Sequence, residues 1–338
     1  MKKPLHGLRG LMTLVIVLFH LFALKYPGGA LIGHLWHGVD VFFVLSGFIL
    51  SYVYARELPF NRDTFANFLV HRVARVAPIC VISVVAYFAI EKAIVLYGFQ
   101  RQNPLDTSLR NFIGNLLFLD SNLRGFMSTP AKWSLSNEIV AYLFLFPISY
   151  LLARSRRFMV AMLVTLAAAQ TVLWADLDRM SLGLFTRCFP AFAAGCLVYH
   201  LNLKLSNAAN ILATLAGYAG FLLLPTKCQV LPATLIVLAA TADTGVVARL
   251  YSVRPLQFLG TVSLSLYLLH EIYTMAALAV LRKIPGSLDA YNYWVWLPLA
   301  ASLLTAALTY KFIERPARDG IKRLYAARRA SRQLLTTA

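Results

Sequence analysis

The sequence is a succession of long apolar runs separated by short polar connections. An α-helix needs about 20 mostly apolar residues to cross a bilayer, because each residue advances the helix axis by about 1.5 Å. Runs of this length lack the apolar–polar alternation of a membrane barrel. The pattern therefore predicts an all-α polytopic membrane protein, a bundle of about ten transmembrane helices. The predicted spans are residues 10–24, 36–55, 76–97, 135–153, 158–175, 183–200, 209–225, 230–248, 256–281 and 293–312.

One further apolar run, residues 112–119, is too short to cross a bilayer, and the charge pattern indicates the same. Both ends of the chain are rich in Lys and Arg, which are enriched in cytoplasmic segments of membrane proteins. Both termini are thus expected in the cytoplasm, which requires an even number of crossings. An eleventh crossing would move the basic cluster at 154–157 and the basic C-terminus outside. Residues 112–119 are therefore predicted to be a half-helix or surface segment within an outer connection, 98–134.

Composition agrees with the membrane interpretation. Of 338 residues, 59% are hydrophobic and 14% are charged, whereas soluble domains average about a quarter charged residues. The net charge of +18 would suit a nucleic-acid partner, but the basic residues lie in short loops and at the C-terminus. We therefore expect the lipid bilayer, and no nucleic acid, as a partner. Residues 1–315 are predicted to form one transmembrane domain and 316–338 a basic cytoplasmic tail. The four cysteines form no CxxC pair, and no metal site is predicted.

Four ionisable residues inside predicted spans are selected as candidates, because such groups are costly in a membrane and mark functional sites. They are His20, Asp40, Glu138 and His270. For each, the alternative is a hydrogen bond between helices. The predicted topology places all four at middle to outer depth. Two imidazoles and two carboxylates supply a base and a group that orients it, which is the usual pairing for deprotonating a hydroxyl.

A second polar group is predicted at the cytoplasmic ends of the helices. Arg9, Arg72 and Arg75 lie at the inner ends of the first and third spans, and Glu314 and Arg315 at the inner end of the last. Arginines at such positions often anchor a helix at the membrane surface. A cluster of guanidinium groups is also the arrangement that binds phosphates.

Arg9 and His20 are predicted to share one face of a helix. Eleven residues at 100° each end about 20° past three full turns, and they span roughly 16 Å along the axis. This separation suits a ligand with phosphates at the cytoplasmic surface and a reactive end deep in the membrane. An acyl-CoA has this shape, although the spacing does not single it out.

The chain resembles the bacterial membrane-bound acyltransferase-3 family, which includes O-antigen and Nod-factor acetylases. The most specific match is the segment from Gly38 to Phe48, GVDVFFVLSGF, which resembles the family's second-helix signature. The other matches are Leu8-Arg9-Gly10 with His20, Arg72 and Arg75 with Pro78, Trp133-Ser134-Leu135 with Glu138, Tyr142 and Pro147, Gly260 and Ser263 with Tyr267, Leu268 and His270, and Glu314-Arg315-Pro316.

The resemblance implies a function and a set of site residues. The function is transfer of an acyl group, most often acetyl, from cytoplasmic acyl-CoA to a hydroxyl of a saccharide or glycoconjugate. Acetyl-CoA would be a co-substrate, with no permanently bound cofactor and no metal. The predicted catalytic residues are His20 as general base, with Glu138 and Asp40. The donor-binding residues are Arg9, Arg72 and Arg75. Acceptor or structural candidates are Trp133, Ser134, Tyr142, Tyr267, His270, Glu314 and Arg315.

Two other functions fit a bundle with ionisable groups in its spans. One is a proton-coupled secondary transporter, since His and carboxylates also form proton relays. The other is a non-catalytic, flippase-like relative of the family. The absence of detectable repeat halves disfavours the transporter, and the presence of His20 and Arg9 disfavours the loss of chemistry. The expected location is the bacterial cytoplasmic (inner) membrane, as a multi-pass protein.

Overall fold

A computed structural model describes most of the chain. The described residues are 2–23, 30–54, 61–98, 104–119, 126–129, 131–152, 154–155, 157–162, 165, 187–281 and 294–337. Within these ranges the structure is helical and contains no β-strand. This confirms the all-α prediction for the part of the chain that is described.

Thirteen α-helices have bounds among the described residues, and two 3-10 turns and a π-helical turn, Tyr310–Glu314, lie between some of them. The helices are α1 (Lys3–Ala23), α2 (Ala30–His34), α3 (Gly38–Tyr54), α4 (Arg62–Leu96), α5 (Leu109–Leu116), α6 (Lys132–Leu152), α7 (Phe189–Leu201), α8 (Asn207–Leu223), α9 (Val230–Ala240), α10 (Val246–Tyr251), α11 (Arg254–Leu281), α12 (Trp296–Thr309) and α13 (Arg315–Thr337).

Six helical segments are long and apolar enough to cross a membrane: Lys3–Ala23, Leu31–Tyr54, Arg62–Leu96, Lys132–Leu152, Arg254–Val280 and Trp296–Ser331. They coincide with six of the ten predicted spans. Three further predicted spans correspond to the shorter apolar helices α7, α8 and α9. The remaining one, 158–175, lies largely outside the described residues. Among the described residues, the structure therefore supports six membrane spans directly.

Helices α1 and α11 pack against each other at a pair of glycines. A Cβ on Gly10 would lie 2.5 Å from the backbone nitrogen of Gly260, and a Cβ on Gly260 would collide with the backbone of His6. Small residues allow helix backbones to approach in this way. His20 and His270 each lie ten residues further along and are in contact. The two helices therefore run in parallel and in register from the glycines to the histidines.

A second close contact joins α3 to α7. A Cβ on Gly47 would collide with the carbonyl oxygen of Phe192, and one on Gly195 with that of Val44. This contact fixes α3, the helix with the most specific sequence motif, against the start of α7.

The short apolar run at 112–119 forms most of α5, an eight-residue helix capped by the Ser108 hydroxyl. Two buried asparagines on α5 hold the segment that leads towards α6. Asn111 Oδ1 accepts the backbone N–H of Met127 at 2.8 Å, and Asn115 Oδ1 accepts that of Thr129 at 3.1 Å. The half-helix therefore holds in place the chain that leads into α6. This agrees with the short segment predicted from the sequence.

Candidate active site

The register of α1 and α11 places two functional groups at opposite ends of their contact. At one end Arg9 donates a hydrogen bond to the carbonyl oxygen of Gly260. Its guanidinium also lies 3.4 Å from Nδ1 of His6. At the other end His20 meets His270. The prediction that Arg9 and His20 share one face of a helix agrees with these contacts, because both residues face α11.

His20, His270 and Glu271 form a hydrogen-bonded cluster. His20 Nδ1 lies 2.9 Å from His270 Nε2, and His20 Nε2 lies 2.9 Å from Glu271 Oε1. His270 is fully buried, whereas the side chains of His20 and Glu271 are 24% and 12% exposed. The cluster therefore pairs an accessible imidazole with a carboxylate and a second, buried imidazole.

The backbone determines the proton positions in this cluster. His270 Nδ1 lies 2.8 Å from the carbonyl oxygen of Tyr267 and 3.1 Å from that of Leu266. A carbonyl only accepts hydrogen bonds, so Nδ1 of His270 carries a proton and its Nε2 is an acceptor when the ring is neutral. His20 Nδ1 then donates to His270. The 2.9 Å contact of His20 Nε2 with Glu271 Oε1 also requires a proton, because a bare ring nitrogen and an ionised carboxylate both only accept, so these two groups share one proton.

The same three residues offer ligand atoms that lie within 4.8 Å of one another. Two ligands in a tetrahedral zinc site are about 3.3 Å apart, because the zinc–nitrogen and zinc–oxygen distances are about 2.0–2.2 Å. The two 2.9 Å contacts of His20 are shorter than that. As it stands, the geometry is that of a hydrogen-bonded acid–base cluster.

Arg9, Arg72 and Arg75 line two adjoining cavities. The large cavity has a volume of about 490 Å³, and its wall also includes Glu314 and residues of α13. The small cavity, of about 90 Å³, leads from the same arginines to Glu138 and Tyr267. The structure thus brings together all three predicted donor-binding residues, at the boundary between the two cavities.

Two of these arginines carry unpaired hydrogen-bond donors. Nε of Arg9 and Nε of Arg72 are buried, and neither has a hydrogen-bond partner among the described residues. A buried N–H without a partner costs roughly 1–3 kcal/mol, and more in a charged group. The Arg72 guanidinium is held by the ring of Tyr142, 4.7 Å from its centroid. Donors kept in place without a protein acceptor are suited to an anionic ligand.

Glu138 lies on the wall of the small cavity and accepts two hydrogen bonds, from the hydroxyls of Ser46 and Tyr142. Ser134 and Tyr267 join their hydroxyls at 2.6 Å on the same wall. The Tyr267 ring lies 6.2 Å from that of His270, centroid to centroid. Tyr267 therefore connects the small cavity to the histidine cluster. Glu138, Ser46 and Tyr142 lie outside the cluster of His20, His270 and Glu271.

Asp40 lies in a separate buried network. Its carboxylate accepts both Nε and Nη2 of Arg187, at 3.0 and 2.7 Å, and lies 3.2 Å from Nδ1 of His37. The Arg187 guanidinium also covers the ring of Trp36 at 3.8 Å and lies 5.6 Å from the ring of Trp133. The expected meeting of Asp40 and Glu138 with the two histidines therefore does not occur. The side chains of Asp40 and Glu138 project towards other partners, Arg187 and Tyr142 respectively.

The two remaining candidates lie on the cytoplasmic side of the predicted topology. Glu314 is buried at the end of the π-helical turn, where it accepts the Ser265 hydroxyl at 2.5 Å and lines the large cavity. Arg315 is largely exposed, and its Nε lies 3.9 Å from Asp319. Only Glu314 of this pair therefore belongs to the cavity.

Comparison with known proteins identifies the family. The model of an acyltransferase domain, acyltransferase-3, matches residues 4–311, which is nearly the whole chain. The chain belongs to the acyltransferase-3 family. No solved structure matches it.

Several curated proteins are similar to the chain over most of its length. The O-acetyltransferase OatA of Staphylococcus aureus (strain NCTC 8325 / PS 47) is 26% identical over 93% of the chain and 57% of its own length. The peptidoglycan O-acetyltransferase OatA of Listeria monocytogenes is 25% identical over 92% of the chain and 55% of its own length. BcsY of Komagataeibacter xylinus, assigned as a membrane-bound transacylase, is 27% identical over 100% of the chain and 88% of its own length. The chain thus spans slightly more than half the length of the two OatA proteins.

Sequence reasoning missed two residues of the candidate site and its surroundings. Glu271 directly follows His270 inside the same predicted span, so the criterion that selected the other ionisable residues applies to it equally. Arg187 also lies inside a predicted span, and its partner Asp40 was already a candidate. In both cases the signal was a charged residue within an apolar run.

Proposed function

We propose that this protein is a multi-pass membrane O-acyltransferase that transfers an acyl group, most simply acetyl, from acyl-CoA to a hydroxyl of a saccharide or glycoconjugate. Membership of the acyltransferase-3 family supports acyl transfer, and the names of the two OatA relatives support acetyl transfer to oxygen. The observation that carries the proposal is the placement of Arg9 and His20. One lines the cavities and the other lies in the acid–base cluster, about 16 Å further along the same helix.

The donor enters through the large cavity. Its phosphates bind Arg9, Arg72 and Arg75, and the free Nε donors of Arg9 and Arg72 favour this role. The pantetheine arm then extends through the small cavity, past Tyr267, and presents the thioester near His20. Acyl-CoA is consumed as a co-substrate, and the mechanism requires neither a permanently bound cofactor nor a metal.

The reaction is a direct displacement at the thioester carbonyl. Once the proton shared with Glu271 has left, the acceptor hydroxyl enters beside Glu271, and His20 Nε2 takes its proton as the hydroxyl oxygen forms the new carbon–oxygen bond. The carbon–sulfur bond breaks, and the CoA thiolate recovers the proton from His20. His270 keeps His20 in the tautomer whose Nε2 accepts a proton, and the adjacent Glu271 carboxylate stabilises the imidazolium that forms.

The carboxylates predicted as catalytic take positioning roles in this proposal. Glu138 orients Tyr142, and Tyr142 in turn holds the guanidinium of Arg72. Asp40 anchors Arg187 and so ties α3 to the start of α7. Among the described residues, the polar contacts of His20 are with Glu271 and His270, so the proton transfer is assigned to these three residues.

The proposed orientation retains ten crossings with both termini in the cytoplasm of a bacterial inner membrane. Residues 1–315 form the transmembrane domain and 316–338 a cytoplasmic extension. Donor phosphates then bind on the cytoplasmic side, where acyl-CoA is made. His20, deeper in the bundle, is positioned for an acceptor that arrives from the other face.

Mass spectrometry of the cell-surface glycans tests this function and identifies the acceptor. Cells with the wild-type gene are expected to carry a glycan heavier by one acyl group than cells without it. Complementation with the His20→Ala variant should fail to restore that mass, whereas an Arg323→Ala variant, changed at an exposed position outside both cavities, should restore it. Identical glycan masses with and without the gene would contradict the proposed function.

A further inference from the structure

The wall of the large cavity extends beyond the region that matches the acyltransferase-3 family. The family match ends at residue 311, yet Arg318, Asp319 and Lys322 also line this cavity. All three belong to α13, whose sequence alone predicted only a basic tail. Helix α13 packs against α4, the helix that carries Arg72 and Arg75.

The side of α13 that meets the cavity is distinct from the rest of the helix. Glu314, Arg318 and Lys322 follow one another at intervals of four residues, so they form one stripe along the helical axis. The side chain of Arg318 is 24% exposed, and Lys322 is also partly buried. Arg323, Arg328 and Arg329 on the same helix are exposed. Two of the many cations of α13 are thus turned towards the cavity.

The charges around the large cavity are unbalanced. Five cations line it (Arg9, Arg72, Arg75, Arg318 and Lys322) against two carboxylates, Glu314 and Asp319. Asp319 lies 3.1 Å from Nε of Arg318, and Glu314 accepts the hydroxyl of Ser265. The excess of positive charge in a partly enclosed space favours a ligand with several negative charges.

We propose that Arg318 and Lys322 form a second phosphate subsite and bind the 3′-phosphate at the nucleotide end of CoA. This inference rests on the proposed function, in which the pantetheine arm points towards His20. The pyrophosphate is then next to Arg9, Arg72 and Arg75, and the 3′-phosphate on the ribose is the phosphate farthest from the thioester. Arg318 and Lys322 are the cations that α13 adds to this cavity beside Arg9, Arg72 and Arg75.

Binding of CoA and of 3′-dephospho-CoA to the purified full-length protein tests this subsite. Measurements use nanodiscs of phosphatidylcholine, with isothermal titration calorimetry. The wild type should bind CoA about 10- to 100-fold more tightly than 3′-dephospho-CoA, the effect of one or two charge-assisted hydrogen bonds. In the double variant Arg318→Ala/Lys322→Ala this ratio should fall close to one, with the affinity for 3′-dephospho-CoA unchanged. The control, Arg323→Ala/Arg328→Ala, removes the same charge from exposed positions and should keep the wild-type ratio.

Other results of these binding measurements would overturn either the 3′-phosphate subsite or the proposed function. A wild-type ratio in Arg318→Ala/Lys322→Ala would overturn the subsite, while the proposed donor site would stand if Arg9→Ala still weakens binding of both ligands. No CoA binding by the wild type would contradict the proposed function itself. An anionic lipid headgroup is another source of phosphate for the same two cations. If adding phosphatidylglycerol abolishes the preference of the wild type for CoA, the pair binds lipid and the assignment to the 3′-phosphate is wrong.

Discussion

His20 Nδ1 lies 2.9 Å from His270 Nε2, and the backbone carbonyls that bind His270 make His20 the donor in this contact. On the other side of the ring, His20 Nε2 shares one proton with the Glu271 carboxylate. The bond connects two residues separated by most of the chain. It depends on the parallel packing of α1 and α11, which begins where Gly10 meets Gly260. Backbone packing and side-chain chemistry are therefore linked at this site.

Replacing Glu271 by Gln tests the role of its charge. The amide is similar in size but carries no negative charge, and its NH₂ group would donate to His20 Nε2 and occupy the lone pair. We expect kcat for acyl transfer to fall by about 10²-fold or more, within the range for loss of general base catalysis. The affinity for CoA should not change, because Glu271 lines neither cavity. Full activity in Glu271→Gln, with Glu271→Asp impaired, would show that length and not charge matters.

Replacing Gly10 by Ala tests the glycine contact between α1 and α11. The added Cβ would lie 2.5 Å from backbone atoms of Gly260 and Leu256, so the helices must separate. Overpacking of this kind costs roughly 1–3 kcal/mol. We expect a lower thermal unfolding temperature and reduced acyl transfer. The matched control is Gly320→Ala in α13, where nothing lies within 4 Å, and this variant should be at least as stable as the wild type. Equal stability of the two variants would contradict the close contact.

Helical periodicity determines which parts of this site could be predicted from the sequence. The common face of Arg9 and His20 was predictable because eleven residues of one helix determine their relative direction. The expected meeting of Asp40 and Glu138 with the histidines was wrong for a related reason. Hydropathy and charge indicate how deep a residue lies, but the side to which it points depends on packing between helices. Asp40 turns to Arg187, a partner that is distant in sequence.

The arginine cluster was predictable because it does not depend on the direction of packing between helices. Arg72 and Arg75 lie one turn apart on α4, and a phosphate site needs little more than several guanidinium groups at one membrane surface. Glu271 was accessible to the same reasoning as His270 but was not selected. The contribution of Arg318 and Lys322 was not predictable, because only the packing of α13 against α4 brings them to the cavity.

Loss of the buried Asp40 carboxylate should destabilise the protein. Asp40→Ala leaves the Arg187 guanidinium buried and without its bidentate partner, which costs roughly 3–5 kcal/mol for buried pairs. The double variant Asp40→Ala/Arg187→Ala removes both charges and should recover part of that loss. Thermal unfolding in detergent measures the difference. Additive effects of the two single substitutions would contradict the coupling between them.

Labelling of introduced cysteines from outside the cell tests the proposed topology. Cys228 is the one partly exposed cysteine, since Cys80, Cys188 and Cys196 are buried, so Cys228→Ser provides the background. In it, a membrane-impermeant maleimide should modify Arg110→Cys and should leave Arg154→Cys unlabelled until the cells are opened. Labelling of Arg154→Cys in intact cells would contradict ten crossings and the cytoplasmic position of the termini.

The central claim is that acyl transfer from CoA depends on His20 as a base and forms no acyl-enzyme. The most direct test uses purified protein, acetyl-CoA labelled in the acetyl group, and the glycan acceptor identified by mass spectrometry. With the wild type, the label should appear in an alkali-labile ester on the acceptor, and without acceptor no stoichiometric label should remain on His20. His20→Ala should lose transfer but still bind CoA. Undiminished transfer by His20→Ala, or label held on His20 and then passed to added acceptor, would contradict this account.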